Sequence, residues 1–155
     1  MTSVAIYELK RTPLLEGLPR LISKIYEAGF RVLIKTPNKD RAPSLNDTLW
    51  TFPPQAFLPH GMEGEASSED HPIWITTQET NDNNANLLVT TDGVEHSNMA
   101  SFAKCVAMFE GQDESVRMNI HSKIAEYQKA GFEVTYWQES ETGVWNKQTL
   151  EKSSS

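Results

Sequence analysis

Residues 4–36 read VAIYELKRTPLLEGLPRLISKIYEAGFRVLIKT, and this stretch decides the fold. Its first six residues alternate apolar and polar side chains, the period of a strand. Leu14, Leu15, Leu18, Leu21, Ile22, Ile25 and Tyr26 then recur at helical spacing. Pro13 or Pro19 fits the first turn of that helix, where a missing N–H costs least. Ala28-Gly29 stops it, because glycine tolerates the left-handed conformation beyond a helix end. Residues 31–36 follow at once as a strand with a continuous apolar centre, the mark of burial on both faces. A strand, helix and strand in this order predict a parallel sheet with a right-handed crossover.

Outward from this opening, Ala42, Leu45 and Leu49 predict a short second helix, ended near residues 50–54 by paired prolines. Residues 61–71 read as a polar, acidic loop, and residues 73–77 and 87–90 as short strands. Residues 80–86 form a turn-rich excursion, and Thr91-Asp92-Gly93 is a turn signal. Ser101 is expected to cap a buried helix carrying Phe102, Cys105, Val106, Met108 and Phe109, broken by Gly111. Residues 113–130 predict the longest helix, ended by Gly131 and followed by a strand over 132–137. The segments SKIYEAGFRVLI and SKIAEYQKAGFEVTYW look alike, the same helix–glycine–strand junction used twice. Residues 144–145 add a last edge strand. The whole predicts a single α/β domain over residues 1–147 and a flexible tail over 148–155. Its architecture is a three-layer α/β/α sandwich with an open, mostly parallel sheet, resembling a mononucleotide-binding (Rossmann-like) fold. Residues 10–14 carry neither GxxxxGK[ST] nor GxGxxG, so no phosphate-binding loop is marked.

The chain has 155 residues and a formal net charge of −7. The total hides an asymmetry: residues 1–45 carry 8 basic and 4 acidic groups, residues 46–100 carry 9 acidic and none basic, and residues 101–155 carry 6 and 8. An acidic chain is poorly suited to coat nucleic acid by phosphate neutralisation alone, so any nucleic-acid contact is expected to be indirect or weak. The lone cysteine, Cys105, excludes a disulfide framework and a cysteine-rich zinc site. The first residues lack the pattern of a signal peptide, and no 18-residue apolar run occurs. A soluble, cytoplasmic protein without membrane association is expected.

Three constellations carry possible chemistry. His60, Glu63, Glu65 and His71 place two imidazoles and two carboxylates within twelve residues. They match no closed metal motif, and a bare loop is the expectation; the alternative is a metal-dependent nucleotide or phosphoester enzyme. No nucleophile elbow surrounds a serine, so no catalytic residue, metal or cofactor is assigned. On the long helix Val116, Ile120, Ile124 and Tyr127 form a core-facing stripe, with Arg117 and His121 one turn apart on the adjoining face and Lys123 further round. Such a cationic rim beside an apolar notch suits an acidic peptide ending in a hydrophobic residue. Finally, residues 49–60 (LWTFPPQAFLPH) gather Trp50, Phe52 and Phe57 in a proline-rich connection, either a core flap or a docking surface.

In these segments the chain resembles the chi subunit family of bacterial DNA polymerase III. The likeness rests on AGFRVLI from Ala28, on LWTF through FLPHG between Leu49 and Gly61, on Gly64-Glu65, and on YQKAGFEVTYW from Tyr127 to Trp137. It implies a non-catalytic accessory subunit of the replicative polymerase. Such a subunit binds the psi subunit, through it the clamp loader, and the acidic C-terminal tail of single-stranded DNA-binding protein. The resemblance assigns Trp50 and Phe57 to the psi interface. It assigns Phe109, Arg117, His121, Lys123, Ile124 and Tyr127 to tail binding. His121 stands where the family has an arginine, Ile124 where it has an aromatic, and Ala125 where it has a lysine. Histidine, unlike arginine, is mostly neutral at pH 7, so a weaker, pH-dependent grip on a carboxylate is implied.

Overall fold

A computed structural model of the chain describes residues 2–37, 41–51, 60–62, 71–81, 83–148 and 150, with the side chains of residues 50 and 51 outside that description. The chain runs β1 (Ser3–Leu9), α1 (Leu14–Glu27), β2 (Val32–Lys35), α2 (Arg41–Thr51), β3 (His60–Met62), β4 (Ile73–Thr76) and β5 (Leu87–Thr91). It continues with β6 (Lys104–Glu110), α3 (Glu114–Lys129), β7 (Glu133–Glu139) and β8 (Trp145–Gln148). The strands form one sheet in the order β3-β4-β2-β5-β6-β1-β7-β8. Every pairing is parallel except the antiparallel β7–β8 edge. The expected α/β fold with an open, mostly parallel sheet is the one observed.

Strand alternation sends side chains to two cores. On one face Val32, Ile34, Ile73, Ile75, Val106 and Met108 lie beneath α1 and α2, which contribute Leu18, Ile22 and Leu45. On the other face Leu33, Trp74, Cys105, Phe109 and Tyr136 lie beneath α3, which contributes Ile120 and Ile124. Both layers are therefore covered.

The repeated junction is built as its sequence implies. Gly29 and Gly131 sit at φ +93° and +92°. Each donates its amide to a carbonyl near its helix end, Tyr26 O and Gln128 O at 3.0 and 3.1 Å. The next residues, Phe30 and Phe132, bond back to Ile25 O and Tyr127 O. This double closure ends both helices and aims the chain into β2 and β7. Pro13 is the N-cap of α1, whereas Pro19 lies inside the helix.

Three local expectations are corrected. The segment expected as a helix from Ser101 is the central strand β6, paired with both β5 and β1. Its apolar residues divide between the two cores, with Val106 and Met108 on one face and Cys105 and Phe109 on the other. A strand buried on both faces is apolar all round, and so is a buried helix. The start of the acidic loop is strand β3. The last edge strand begins at Trp145 and reaches Gln148, which was expected in the tail.

The turn after β1 carries no phosphate-binding motif, as expected, yet its amides converge on one group. The amides of Lys10, Arg11 and Thr12 all donate to Glu139 Oε1, at 3.1, 3.0 and 3.0 Å. Nearby, Leu14 N donates to Glu110 Oε2 at 2.8 Å. The turn does form a backbone nest, and the chain's own carboxylate occupies it.

Candidate functional site

Helix α3 carries most of the candidate residues. Asp113 caps it, its Oδ1 accepting the Val116 amide at 3.2 Å. Ile120 and Ile124 are buried against the sheet, and Val116 and Tyr127 pack at the margin. This stripe divides the polar candidates between two flanks of the helix.

On the β7 flank stand Arg117 and His121, both exposed and one turn apart. His121 Nε2 lies 3.0 Å from Tyr136 Oη, and Tyr136 donates its hydroxyl proton to the buried carboxylate of Glu8. Because that proton is committed, Tyr136 Oη accepts from His121, so the imidazole carries its proton on Nε2. Gln138 Nε2 donates to the same Glu8 oxygen at 3.4 Å. Burial raises the Tyr136 hydroxyl above its ordinary range, the Glu8 bond and charge raise it further, and the Arg117 charge opposes them. His121 is thus oriented from behind by two buried groups, and the Arg117 charge reaches Tyr136 from the same flank.

On the opposite flank Lys123 and Tyr127 line a narrow cleft with Asn119, Gly93, Met99 and Cys105. Asn119 Nδ2 donates to Gly93 O at 3.3 Å, tying α3 to the turn after β5. Lys123 Nζ is held by Glu95 Oε1 at 2.9 Å and Glu126 Oε2 at 3.4 Å, and these hydrogen bonds raise its pKa. Burial raises the Tyr127 hydroxyl, followed by the charge of Glu95. Burial also pushes the Cys105 thiol up to about 12, which makes it a poor nucleophile despite its place in the cleft.

The structure therefore places Arg117 and His121 on one flank and Lys123 and Tyr127 on the other, on either side of the buried stripe. Phe109, expected at the pocket's edge, is instead wholly buried beneath α3 and offers no surface. That position follows from its place on a central strand. Sequence reasoning missed Glu95, which lies 28 positions before Lys123 and carries no local signal. It also missed Tyr136 and Glu8, whose link to His121 needs β1 and β7 to be neighbours.

The other constellations are less complete. Trp50 falls in the last turn of α2, its side chain outside the described residues, as is the whole of Phe57. Glu63 and Glu65 also lie outside them. His60 Nε2 sits 3.2 Å from Asn46 O of α2, whereas His71 packs on Trp74, with ring centroids 5.4 Å apart. Consecutive residues of β3 face opposite ways, and the Gly61 position faces Trp74 and His71. The two imidazoles are thus on opposite faces of the sheet and do not converge on one ion. Among the described residues no cluster of three or more His, Cys, Asp or Glu could hold a metal. No helix among them is long and apolar enough to cross a membrane.

The sequence pattern of the family described as DNA polymerase III chi subunit, HolC, matches residues 1–135. The chain belongs to the DNA polymerase III chi subunit family. This chi-family chain is 29% identical over 110 residues to the probable DNA polymerase III subunit chi of Rickettsia prowazekii, covering 71% of this chain and 67% of that protein. It is 25% identical over 143 residues to DNA polymerase III subunit chi of Escherichia coli, covering 85% of this chain and 95% of that one. The match to the family runs through β1, α3 and the start of β7, the elements that assemble both flanks described above. As a chi-family member it is a component of DNA replication, a subunit of a DNA polymerase III complex.

Proposed function

We propose that the chain is a non-catalytic accessory subunit of the replicative polymerase, bridging the psi subunit and the acidic C-terminal tail of single-stranded DNA-binding protein. Through psi it reaches the clamp loader, and it acts in the cytoplasm. Family membership supports the polymerase assignment. The observation that carries tail binding is α3 itself, whose buried Ile120–Ile124 stripe is flanked by Arg117 and His121 on one side and Lys123 and Tyr127 on the other. An acidic peptide lying across the helix meets cations on both flanks, although the chain as a whole is negative. Local charge, rather than net charge, decides such an encounter.

The test is calorimetry of the full chain with a peptide copying the acidic C-terminal tail of the host's single-stranded DNA-binding protein. The expected result is a salt-sensitive affinity that falls by about fivefold or more in Arg117→Ala. No heat at low salt, together with failure of psi to co-purify, overturns the assignment. The psi interface is assigned to Trp50 and Phe57. Replacing Phe57 by Ala is expected to abolish co-purification of psi while leaving the calorimetry with the tail peptide unchanged.

A further inference from the structure

Far from α3, on the sheet face covered by α1, lies a half-open cavity of about 350 Å³ whose walls include Tyr7, Trp137 and Trp145. That volume is at the lower end of small-ligand sites, the size of one nucleotide unit rather than an extended chain. Tyr7 and Trp137 occupy paired positions on β1 and β7, with ring planes 10° apart and centroids separated by 6.2 Å. Trp145 meets Tyr7 edge-on at 5.2 Å. All three rings are only partly buried, so they present aromatic surface to the cavity.

Cations stand at and beside the cavity. Arg20 and Lys24 line the cavity from successive turns of α1, and Arg20 is balanced in part by the exposed Glu16 at 3.1 Å. Outside the lining itself, Lys147 on β8 is the cross-strand partner of Trp137 and shares its face of the sheet. Among the described residues no carboxylate pairs with Lys24 or Lys147.

We propose that this cavity receives one base of a single-stranded nucleic acid, its flanking phosphates meeting Arg20 and Lys24 at the wall and Lys147 beside it. Stacking on aromatic rings combined with backbone-tracking cations is the general chemistry of single-strand binding. Two features favour a base over an acidic peptide. Glu139 forms part of the wall, and its negative charge disfavours an acidic side chain. The three partly buried rings also offer aromatic surface on which a base can stack, which an acidic side chain cannot use. The backbone nest at the turn after β1 is already filled by Glu139, so it offers no seat for a terminal polyphosphate. A strand, whose phosphates lie beside the base rather than beyond it, fits better than a free nucleoside triphosphate.

The test is fluorescence anisotropy of a short, end-labelled single-stranded oligodeoxynucleotide titrated with the full chain at low salt. Saturable binding is expected, weakened about tenfold or more by Trp137→Leu and severalfold by joint replacement of Lys24 and Lys147 with Ala. The lysine variant alters only exposed side chains and keeps the test decisive should Trp137→Leu fold poorly. Arg117→Ala is expected to leave the titration unchanged, which separates this site from the tail site. A flat titration, or binding indifferent to both variants, overturns the proposal. Competition by a deoxynucleoside monophosphate as strong as by the oligonucleotide overturns the strand in favour of a free nucleotide. Displacement by an acidic peptide overturns the base in favour of a peptide.

Discussion

Glu139 holds Thr12 twice across 127 positions of sequence, Oε1 accepting its amide at 3.0 Å and Oε2 its hydroxyl at 2.5 Å. With the amides of Lys10 and Arg11 on Oε1, a single carboxylate satisfies four donors in the turn between β1 and α1. In open parallel sheets the turn after the first strand is where backbone N–H groups and a helix N-terminus can meet a phosphate. Here the last residue of β7 meets those groups instead. The architecture of a mononucleotide-binding sheet is therefore kept, with its first turn closed by the protein's own anion.

Glu139→Ala is expected to destabilise the fold by about 2–3 kcal/mol, because three amides and a hydroxyl lose a charged acceptor. Burial pushes the Glu139 carboxyl up, but the bonds from Thr12, Arg11 and Lys10 outweigh it and hold the group below its ordinary value. A depressed carboxyl adds stability above its unfolded pKa, and that contribution disappears as pH falls through the folded one. Urea unfolding should therefore show the full difference from wild type at neutral pH and a shrinking one in acid. A pH-independent difference would mean that lost packing, not the charged nest, is what Glu139 contributes.

A second acid-sensitive contact lies at the carboxyl ends of β2 and β5. Lys35, buried in spite of its charge, bonds to Glu79 and to Glu95 O. The Lys35 bond first, then those from Ser97, lower the Glu79 pKa from 4.5 to about 2. Its share of stability is present above about 4.5 and is lost as pH falls towards about 2. Glu79 is half exposed, so water screening limits that share to on the order of 1 kcal/mol. Glu79→Gln should lower the urea midpoint at pH 7 by this small amount and converge with wild type in strong acid.

The opening strand–helix–strand was legible because each signal is local. The periodicity of Leu14 to Tyr26, the stop at Gly29 and the apolar run of β2 all act within a few residues. Strand β6 was misread because Cys105, Val106, Met108 and Phe109 are apolar on both faces, and periodicity alone cannot separate such a strand from a buried helix. The candidate cations of α3 were legible as residues, but their division between flanks was not. His121 lies towards β7 through Tyr136, and Lys123 towards Glu95 in the connection after β5. The Glu139 nest had no sequence signal at all, since it exists only when β7 lies beside β1.

Phe109 gives a test of this distinction between core and rim. It is wholly buried, and Phe109→Ala is expected to cost about 3–5 kcal/mol through the cavity it leaves. Any loss of tail binding should then follow the unfolded fraction measured by circular dichroism. A variant that keeps its urea midpoint yet no longer binds the tail peptide would place Phe109 at the binding surface after all.

His121→Arg tests the residue that departs from the family pattern. Its imidazole donates to Tyr136, and it lacks the permanent charge of an arginine. Arginine there adds a permanent charge beside Arg117. Tail-peptide affinity should rise severalfold at low salt, and the gain should vanish at high salt, where exposed charges are screened. A gain insensitive to salt would point to altered packing against Tyr136.

Lys123 reaches an acidic peptide only by releasing carboxylates it already holds. Glu95 Oε1, at 2.9 Å, is the nearer of its two partners and also stands close enough to affect Tyr127. An incoming carboxylate must displace that bond and approach a like charge. Glu95→Gln removes both obstacles and leaves the helix face intact. Exposed ion pairs contribute about 0.2–1 kcal/mol, so tail affinity should rise by roughly twofold to fivefold. Lys123→Ala should reduce it and abolish the response to Glu95→Gln, a coupling that a double-mutant cycle in calorimetry reads directly. If Glu95→Gln weakens binding, or if the two effects simply add, the peptide does not use Lys123 and must lie along the Arg117–His121 flank.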